Sequence, residues 1–434
     1  MTTALSVLVQ RMSEYMGDWL EFDTTTNITG SDTNITSTTL NQYDSSVDDT
    51  FNDWWAYITE GTNNADVERK VENYTTSGGV ADVYGANLGA ESAAVTVQLH
   101  RYKRTDKEKA INRALEELYP ALHKPLDNME LITGNILPVF NWSTTALLDV
   151  WTEPTGTLTK TTSTYVRYGE TSASVDASGA DDVLYVSSDD YPRLLDVMNH
   201  SVDFKCWVYP ENANDAFLTI ATTSSDGTTT QTLNSTTTCP AGYWTQIKLE
   251  DQTINDDLSK IEFRLRVHTS GGYVYFDAPR ATGRGIREYL LPKDFQGGSV
   301  DEVYIQSSGY SEDACDDLHP ARWDRVFGYD VINDGTYGYL RLQSYHPNNL
   351  RIRLIGSKPL AALSAATDTI YLDAGGRIDL IIQKAIDILM EMTESPVSKD
   401  DISRFETERA KRRMRVAELT KQHRMMSGGT LKLP

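Results

Sequence analysis

Leu5, Leu8, Val9, Met12 and Met16 fall at helical intervals and give residues 4 to 16 one apolar face. Beyond them the pattern shortens to β-like pieces, Ile35 to Leu40, Trp54 to Thr59, Arg69 to Tyr74 and Val95 to Leu99. Gly61, Gly78-Gly79 and Gly89 punctuate these pieces, which predicts a small antiparallel barrel or sandwich. A helix is predicted from about Asp106 to Leu122, with Ala110, Ile111, Ala114, Leu115 and Leu118 as its apolar stripe. Thr105 is its expected N-cap, and Glu108 the capping-box partner.

From about 135 to 283 helical periodicity gives way to alternation. The runs are Tyr165 to Arg167, Ser172 to Asp176, Val183 to Ser187, Val202 to Tyr209, Phe217 to Thr222, Trp244 to Leu249, Ile261 to Val267 and Tyr273 to Ala278. Around eight strands with turn clusters between them predict a jelly-roll sandwich.

After Gly285 the first style of sequence returns, with strands predicted at Val300 to Gln306, Trp323 to Val331, Tyr339 to Gln343 and Leu350 to Ile355. Two helices close the chain. Gly376 to Thr393 carries a wide apolar face of Ile378, Ile381, Ile382, Ala385, Ile388, Leu389 and Met392. Lys399 to Met425 is highly charged, with a thinner stripe of Ile402, Phe405, Ala410, Met414, Ala417 and Leu419. Ser398 with Asp401 offers its start signal, and Ser427-Gly428-Gly429 its stop. The fold class expected is mixed α and β: a split outer domain of β-module plus helical bundle, interrupted by an all-β jelly roll. The expected parts are 1–134, the insertion 135–284, 285–426, and a tail at 427–434. Insertions of this kind succeed at exposed loop tips whose two ends lie close together.

Composition adds constraints. At 434 residues, 39% hydrophobic and 24% charged, the chain can build two or three cores. Its formal charge of -22 argues against a surface that holds nucleic acid by neutralising phosphates. It fits a soluble surface, or a wall that DNA slides past without sticking. Cys206, Cys239 and Cys315 are odd in number and widely spaced, so neither a disulfide framework nor a zinc site is expected. Arg11, Glu14 and Asp18 interrupt the first apolar run, which reads as an amphipathic helix and not a signal peptide. No apolar run has the length of a membrane span.

The outer parts resemble head-to-tail adaptor (connector) proteins of tailed bacteriophages. The resemblance is carried by Thr38-Thr39-Leu40, Asp48-Asp49-Thr50-Phe51, Trp55-Ala56-Tyr57-Ile58 and the helix Lys109-Ala110-Ile111-Asn112-Arg113-Ala114. In the C-terminal part it is carried by Tyr339-Leu340-Arg341-Leu342 and Leu350-Arg351-Ile352-Arg353-Leu354 before Lys358-Pro359-Leu360. It implies a homo-oligomeric ring, usually a dodecamer, beneath a portal protein in the virion neck. Such a ring joins tail or neck proteins, lets DNA pass through its channel, and is assembled in the host cytoplasm.

The middle segment is similar to family 4/9-type carbohydrate-binding modules. The similarity is carried by Tyr168-Gly169-Glu170-Thr171-Ser172-Ala173, Phe204-Lys205-Cys206-Trp207-Val208, Gly242-Tyr243-Trp244-Thr245 and Tyr275-Phe276-Asp277-Ala278. Such modules often hold a structural calcium ion. The resemblance implies a carboxylate ligand at Asp277, with Glu153 as the partner from the N-terminal side.

No catalytic constellation stands out, and the chain is expected not to be an enzyme. The acidic pairs Asp181-Asp182, Asp189-Asp190, Asp256-Asp257, Asp316-Asp317 and Asp400-Asp401 are adjacent residues, mostly in turn-like contexts where Asp caps backbone. Seven histidines are scattered without HxH or HExxH. Gly283-Arg284-Gly285 reads as the exit turn of the insertion. Aromatic rings can stack on pyranose faces. Tyr191, Tyr209 and Tyr243 are the expected surface residues of a glycan site, whereas Trp207 and Trp244 are expected in the core. In the last helix Arg404, Arg409, Lys411, Arg412, Arg413 and Arg415 form the basic region, expected to dock on an acidic portal ring.

The expected role is therefore a structural virion protein, the adaptor ring below the portal. The alternative is a tail or baseplate adhesin that binds host surface glycan through the jelly roll. A secreted glycan-processing enzyme would need a signal sequence and a carboxylate pair across a cleft.

Overall fold

The computed structural model describes residues 2–31, 33–138, 151–152, 157–161, 165–167, 171–177, 182–268, 272–307, 323–372, 375–393 and 399–425. Its packing divides into two compact units, Met1–Lys124 with Pro359–Met426 and a second built on Pro125–Lys358.

In the first unit, β1 (Thr3–Ala4) pairs with Thr369–Ile370 and leads into α1 (Leu5–Met16). Strands β2 (Leu20–Asp23), β3 (Asn34–Thr36), β4 (Trp55–Ile58), β5 (Glu68–Thr75), β6 (Val80–Val83) and β7 (Thr96–His100) form one antiparallel sheet in the order β2-β7-β4-β5-β6-β3. Its core holds Phe22, Ile35, Leu40, Phe51, Val71, Tyr74 and Val97. Of the expected segment Ile35 to Leu40, the second half turns into a 3-10 helix at Thr38–Gln42, because Ser37 accepts the Thr39 N–H and bends the chain.

Helix α2 (Arg104–Glu117) buries the predicted stripe, but its cap differs from the expected one. Lys103 is the N-cap and no side chain of the helix itself caps it. Glu68, on β5, accepts the Arg104 N–H and the Thr105 hydroxyl instead, the latter at 3.1 Å. Helices α1, α2, α3 (Gly376–Thr393) and α4 (Lys399–His423) share a core of Leu8, Met12, Ile111, Leu115, Ile381, Ala385 and Leu389. The stripe expected on α4 is mostly not buried. Met414 is 66% exposed, Ala410 and Ala417 are exposed and Phe405 is half-buried, while Leu419 is 5% exposed. Only the C-terminal end of α4 reaches the core, because its earlier turns carry too few apolar residues to cover one.

The second unit begins with β8 (Lys124–Ile132), and ten strands then form a sandwich. They are β9 (Trp151–Thr152), β10 (Thr157–Thr161), β11 (Ser172–Asp176), β12 (Asp182–Ser187), β13 (Ser201–Pro210), β14 (Ala216–Thr223), β15 (Thr230–Asn234), β16 (Thr245–Thr253), β17 (Lys260–Val267) and β18 (Tyr273–Gly283). One five-stranded sheet runs β10-β11-β18-β13-β16 and the other β15-β14-β17-β12-β9, both antiparallel. Period two explains the core. Phe204, Cys206 and Val208 of β13 and Val274 and Phe276 of β18 face Leu218 and Ile220 of β14 and Ile261, Phe263 and Leu265 of β17. Phe204 meets Phe263 edge to face, with ring centroids 5.3 Å apart. Tyr165 to Arg167, expected as a strand, lies outside these strands.

The unit continues with β19 (Glu288–Leu290), β20 (Ser299–Gln306), β21 (Trp323–Val326), β22 (Tyr329–Asn333), β23 (Gly338–Leu342) and β24 (Arg351–Lys358). They form a three-stranded sheet β19-β23-β22 and a four-stranded sheet β21-β20-β24-β8. The expected strand Trp323 to Val331 is two strands, broken at Phe327-Gly328. Tyr339 of β23 is part of the sandwich's core cluster, so the strands after 285 pack with the jelly roll in one unit. The packing seams thus lie at Lys124/Pro125 and Lys358/Pro359, while the change in sequence character lies near 134 and 284.

Candidate functional site

The outer face of the sheet β10-β11-β18-β13-β16 carries the site. With Phe204, Cys206 and Val208 pointing inward, alternation sends Lys205, Trp207 and Tyr209 outward. On β18 the same rule turns Tyr273, Tyr275 and Asp277 outward, opposite Pro210's neighbour Tyr209 and Trp207 in the register pairs Tyr209–Tyr275 and Trp207–Asp277. A β-bulge follows. Lys205 pairs with Arg280, so β18 has one extra residue between these pairs, and Ala278 takes φ 48. The bulge keeps Asp277 and Arg280 on one face although they are three residues apart.

Four rings converge there. Tyr165 lies 4.3 Å from Tyr209 and 4.6 Å from Tyr275, centroid to centroid, and Trp244 lies 5.7 Å from Tyr209. Tyr165, Tyr209, Tyr275 and Trp244 are all half-buried, and Tyr243 beside them is 70% exposed. The guanidinium of Arg167 sits 4.7 Å above the Trp207 ring, a cation–π contact. The Arg167 backbone N–H donates to Asp277 Oδ2 at 2.8 Å, which holds the Tyr165–Arg167 segment against the sheet. Polar groups border the rings. Asp176 raises the pKa of the Tyr273 hydroxyl by its charge and a hydrogen bond. Burial, then a hydrogen bond with Tyr165, raises that of Tyr209, and burial raises that of Tyr275. These phenols therefore stay protonated at neutral pH and can both donate and accept. A row of partly exposed rings flanked by hydroxyls, carboxylates and a guanidinium is suited to a ligand with flat apolar faces and a polar edge.

The residues singled out in the sequence divide. Tyr209 is at the centre of the cluster and Tyr243 at its exposed margin. Tyr191 is not a surface residue. It is 2% exposed, lies in the sandwich core and stacks near Tyr339 with centroids 6.5 Å apart, because the 3-10 turn at Pro192–Val197 directs its ring inward. Trp207 and Trp244 are half-buried on the outer face, not core residues. Tyr165 and Tyr275 complete the cluster. The spacing Tyr273-x-Tyr275-x-Asp277 was the available signal for one, while Tyr165 itself belongs to no strand or helix.

Asp277 is wholly buried. Calcium takes six to eight oxygen ligands, and no group of three or more His, Cys, Asp or Glu able to hold a metal occurs among the described residues. Glu153 lies outside them. The described residues alone therefore do not make up a calcium shell at Asp277.

The basic residues of α4 are largely tied within the chain. Arg409 and Arg413 both reach Glu391 of α3, the second at 2.7 Å. Arg404 and Arg412 pair with Glu408 at 3.5 and 3.4 Å, and Arg415 with Glu418 at 3.5 Å; Lys411 is exposed. No helix among the described residues is long and apolar enough to cross a membrane.

Comparison with known proteins gives likenesses to solved structures. No family model matches the chain, and no curated protein matches it. The C-terminal family 22 carbohydrate binding module of Clostridium thermocellum Xyn10B is 16% identical, with 35% of this chain and 96% of that one covered and a TM-score of 0.30. The TmCBM61 module, solved with β-1,4-galactotriose, is 11% identical, with 35% and 99% covered and a TM-score of 0.23. The enzymatically active domain of bacteriophage CBA120 tailspike protein 4 is 11% identical, with 31% and 19% covered and a TM-score of 0.23. None of these three is an adaptor.

Proposed function

We propose that this chain is a glycan-binding protein that takes a sugar chain on the outer face of its jelly roll. The observation that carries this reading is the convergence of Tyr165, Tyr209, Tyr275 and Trp244 on one partly exposed sheet face. Isolated surface aromatics are ordinary, but four rings within stacking distance form a platform on which pyranose faces can lie. The bordering hydroxyls, Asp176 and Arg167 would then select among sugar hydroxyl patterns. Binding without chemical change is our reading of the role.

The test is a glycan array followed by titration of the full chain. Tyr209→Ala and Trp244→Ala should each weaken the best glycan at least about tenfold, roughly 1.4 kcal/mol, with unfolding curves unchanged. An array on which the intact chain retains nothing would remove the proposal.

The ring-forming adaptor role in a virion is a second reading. Its support is α4, a basic helix whose Phe405 and Met414 are left partly or largely uncovered in a chain of net charge -22. Sedimentation of the full chain alone and with a portal ring tests it. A monomer that ignores the portal would rule it out.

A further inference from the structure

A cavity in the Pro125–Lys358 unit, of about 540 Å³, lies where the turn leaving the jelly roll meets the three-stranded sheet. Asp196, His200, Arg284, Arg287, Glu288 and Arg341 contribute its charged and titratable groups. Three arginines gathered in one concavity are unusual in a chain of net charge -22. Their states differ. Arg341 is fixed by Glu288, its partner in the β19–β23 register, and Glu288 also takes Arg193. Arg284 and Arg287 form no ion pair among the described residues; the only polar contact of the Arg287 guanidinium there is the Gln343 carbonyl at 3.5 Å. Both are exposed at the cavity, as is His200.

The backbone brings Arg284 and Arg287 to the same cavity. Gly285 adopts φ +85, which turns the chain between Arg284 and Arg287. The Arg287 carbonyl then accepts the Leu342 N–H at 2.8 Å, anchoring the turn to β23. The carboxylates do not cancel this charge. Glu288 is shared between Arg193 and Arg341, and among the described residues Asp196 forms no ion pair with Arg284 or Arg287. Guanidinium groups recognise oxyanions through paired N–H donors. The volume falls within the range of small-molecule sites, about 300–1,000 Å³, and exceeds what a bare phosphate would fill.

We propose that this cavity is a binding site for an anionic saccharide, a sugar bearing a carboxylate, sulfate or phosphate, with Arg284 and Arg287 as the groups that hold its charge. That the anion is a saccharide rests on the proposed glycan-binding function, while the site itself shares no residue with the aromatic face.

Calorimetric titration of the full chain with a panel of uronic-acid, sulfated and phosphorylated disaccharides, and with inorganic phosphate, tests the assignment. At least one charged disaccharide should bind, more weakly as salt rises. The double variant Arg284→Gln/Arg287→Gln should lose about tenfold or more in affinity, and Tyr209→Ala should leave this binding unchanged. No binding of any charged disaccharide, or equal binding by the double variant, would overturn the site. Inorganic phosphate binding as tightly as the best disaccharide would overturn the saccharide assignment.

Discussion

Lys107 Nζ stands 2.8 Å from Asp18 Oδ2, and the two side chains are 0% and 1% exposed. The ammonium also donates to Ser13 Oγ at 2.7 Å and faces His100 Nδ1 at 3.1 Å, so α1, α2 and β7 meet on one buried charge. Burial works against both partners: it raises the Asp18 pKa and lowers that of Lys107, each opposed by the other's charge. Such a pair adds little net stability, but removing one partner strands the other in the core at a cost of about 3–5 kcal/mol. Asp18→Asn should therefore destabilise the Met1–Lys124 unit severely. The double change Asp18→Leu/Lys107→Met should recover much of the loss, measured by denaturant unfolding.

His100 gives that cluster a pH dependence. Burial, then the charges of Lys107 and Arg104, lowers its pKa to about 2, so the folded state keeps it neutral. The unfolded chain protonates near the ordinary 6.5. The stabilisation is thus present above about 6.5 and is lost as pH falls below it, by at most about 1.4 kcal/mol per pH unit. Protection factors of amides in α1 and α2, with the slower intrinsic exchange at lower pH divided out, should fall between pH 6.5 and 5, and His100→Gln should flatten that trend.

The jelly roll depends on contact between its sheets. Phe204 and Phe263, from opposite sheets, are both fully buried. Phe204→Ala should cost about 3–5 kcal/mol and lower the unfolding midpoint of the second unit. A midpoint unchanged within error would mean that the two sheets do not share this core.

Legibility from sequence followed the range of the interaction that decides each feature. The α3 boundaries, Gly376 and Thr393, were readable because nine buried positions recur within one helix. The sandwich was readable because alternation is local to each strand. The cap of α2 was not: Thr105 has the right side chain, but Glu68 lies 37 residues away on β5. For Tyr191 the ring direction depends on a 3-10 turn and on Tyr339 across the unit, and neither leaves a periodic trace. The aromatic site was half legible for the same reason. Tyr209 and Tyr243 stood out, while Tyr165 joins them through ring contacts with Tyr209 and Tyr275 and through the neighbouring Arg167–Asp277 hydrogen bond, a contact 110 residues apart in the chain.

Helix α4 separates two kinds of attachment. Its ion pairs to Glu391 are visible, but Arg409 and Arg413 are 35% and 58% exposed, and pairs in that setting contribute about 0–1 kcal/mol. Leu419 is 5% exposed and sits in the core shared with α1, α2 and α3. Truncating a buried leucine costs about 2–5 kcal/mol. Glu391→Ala should therefore leave the rate of limited proteolysis within α4 nearly unchanged. Leu419→Ala should release the helix and speed cleavage at its basic residues, while α3 stays protected. Faster cleavage in Glu391→Ala than in Leu419→Ala would mean that the surface charges, and not the apolar anchor, hold α4 in place.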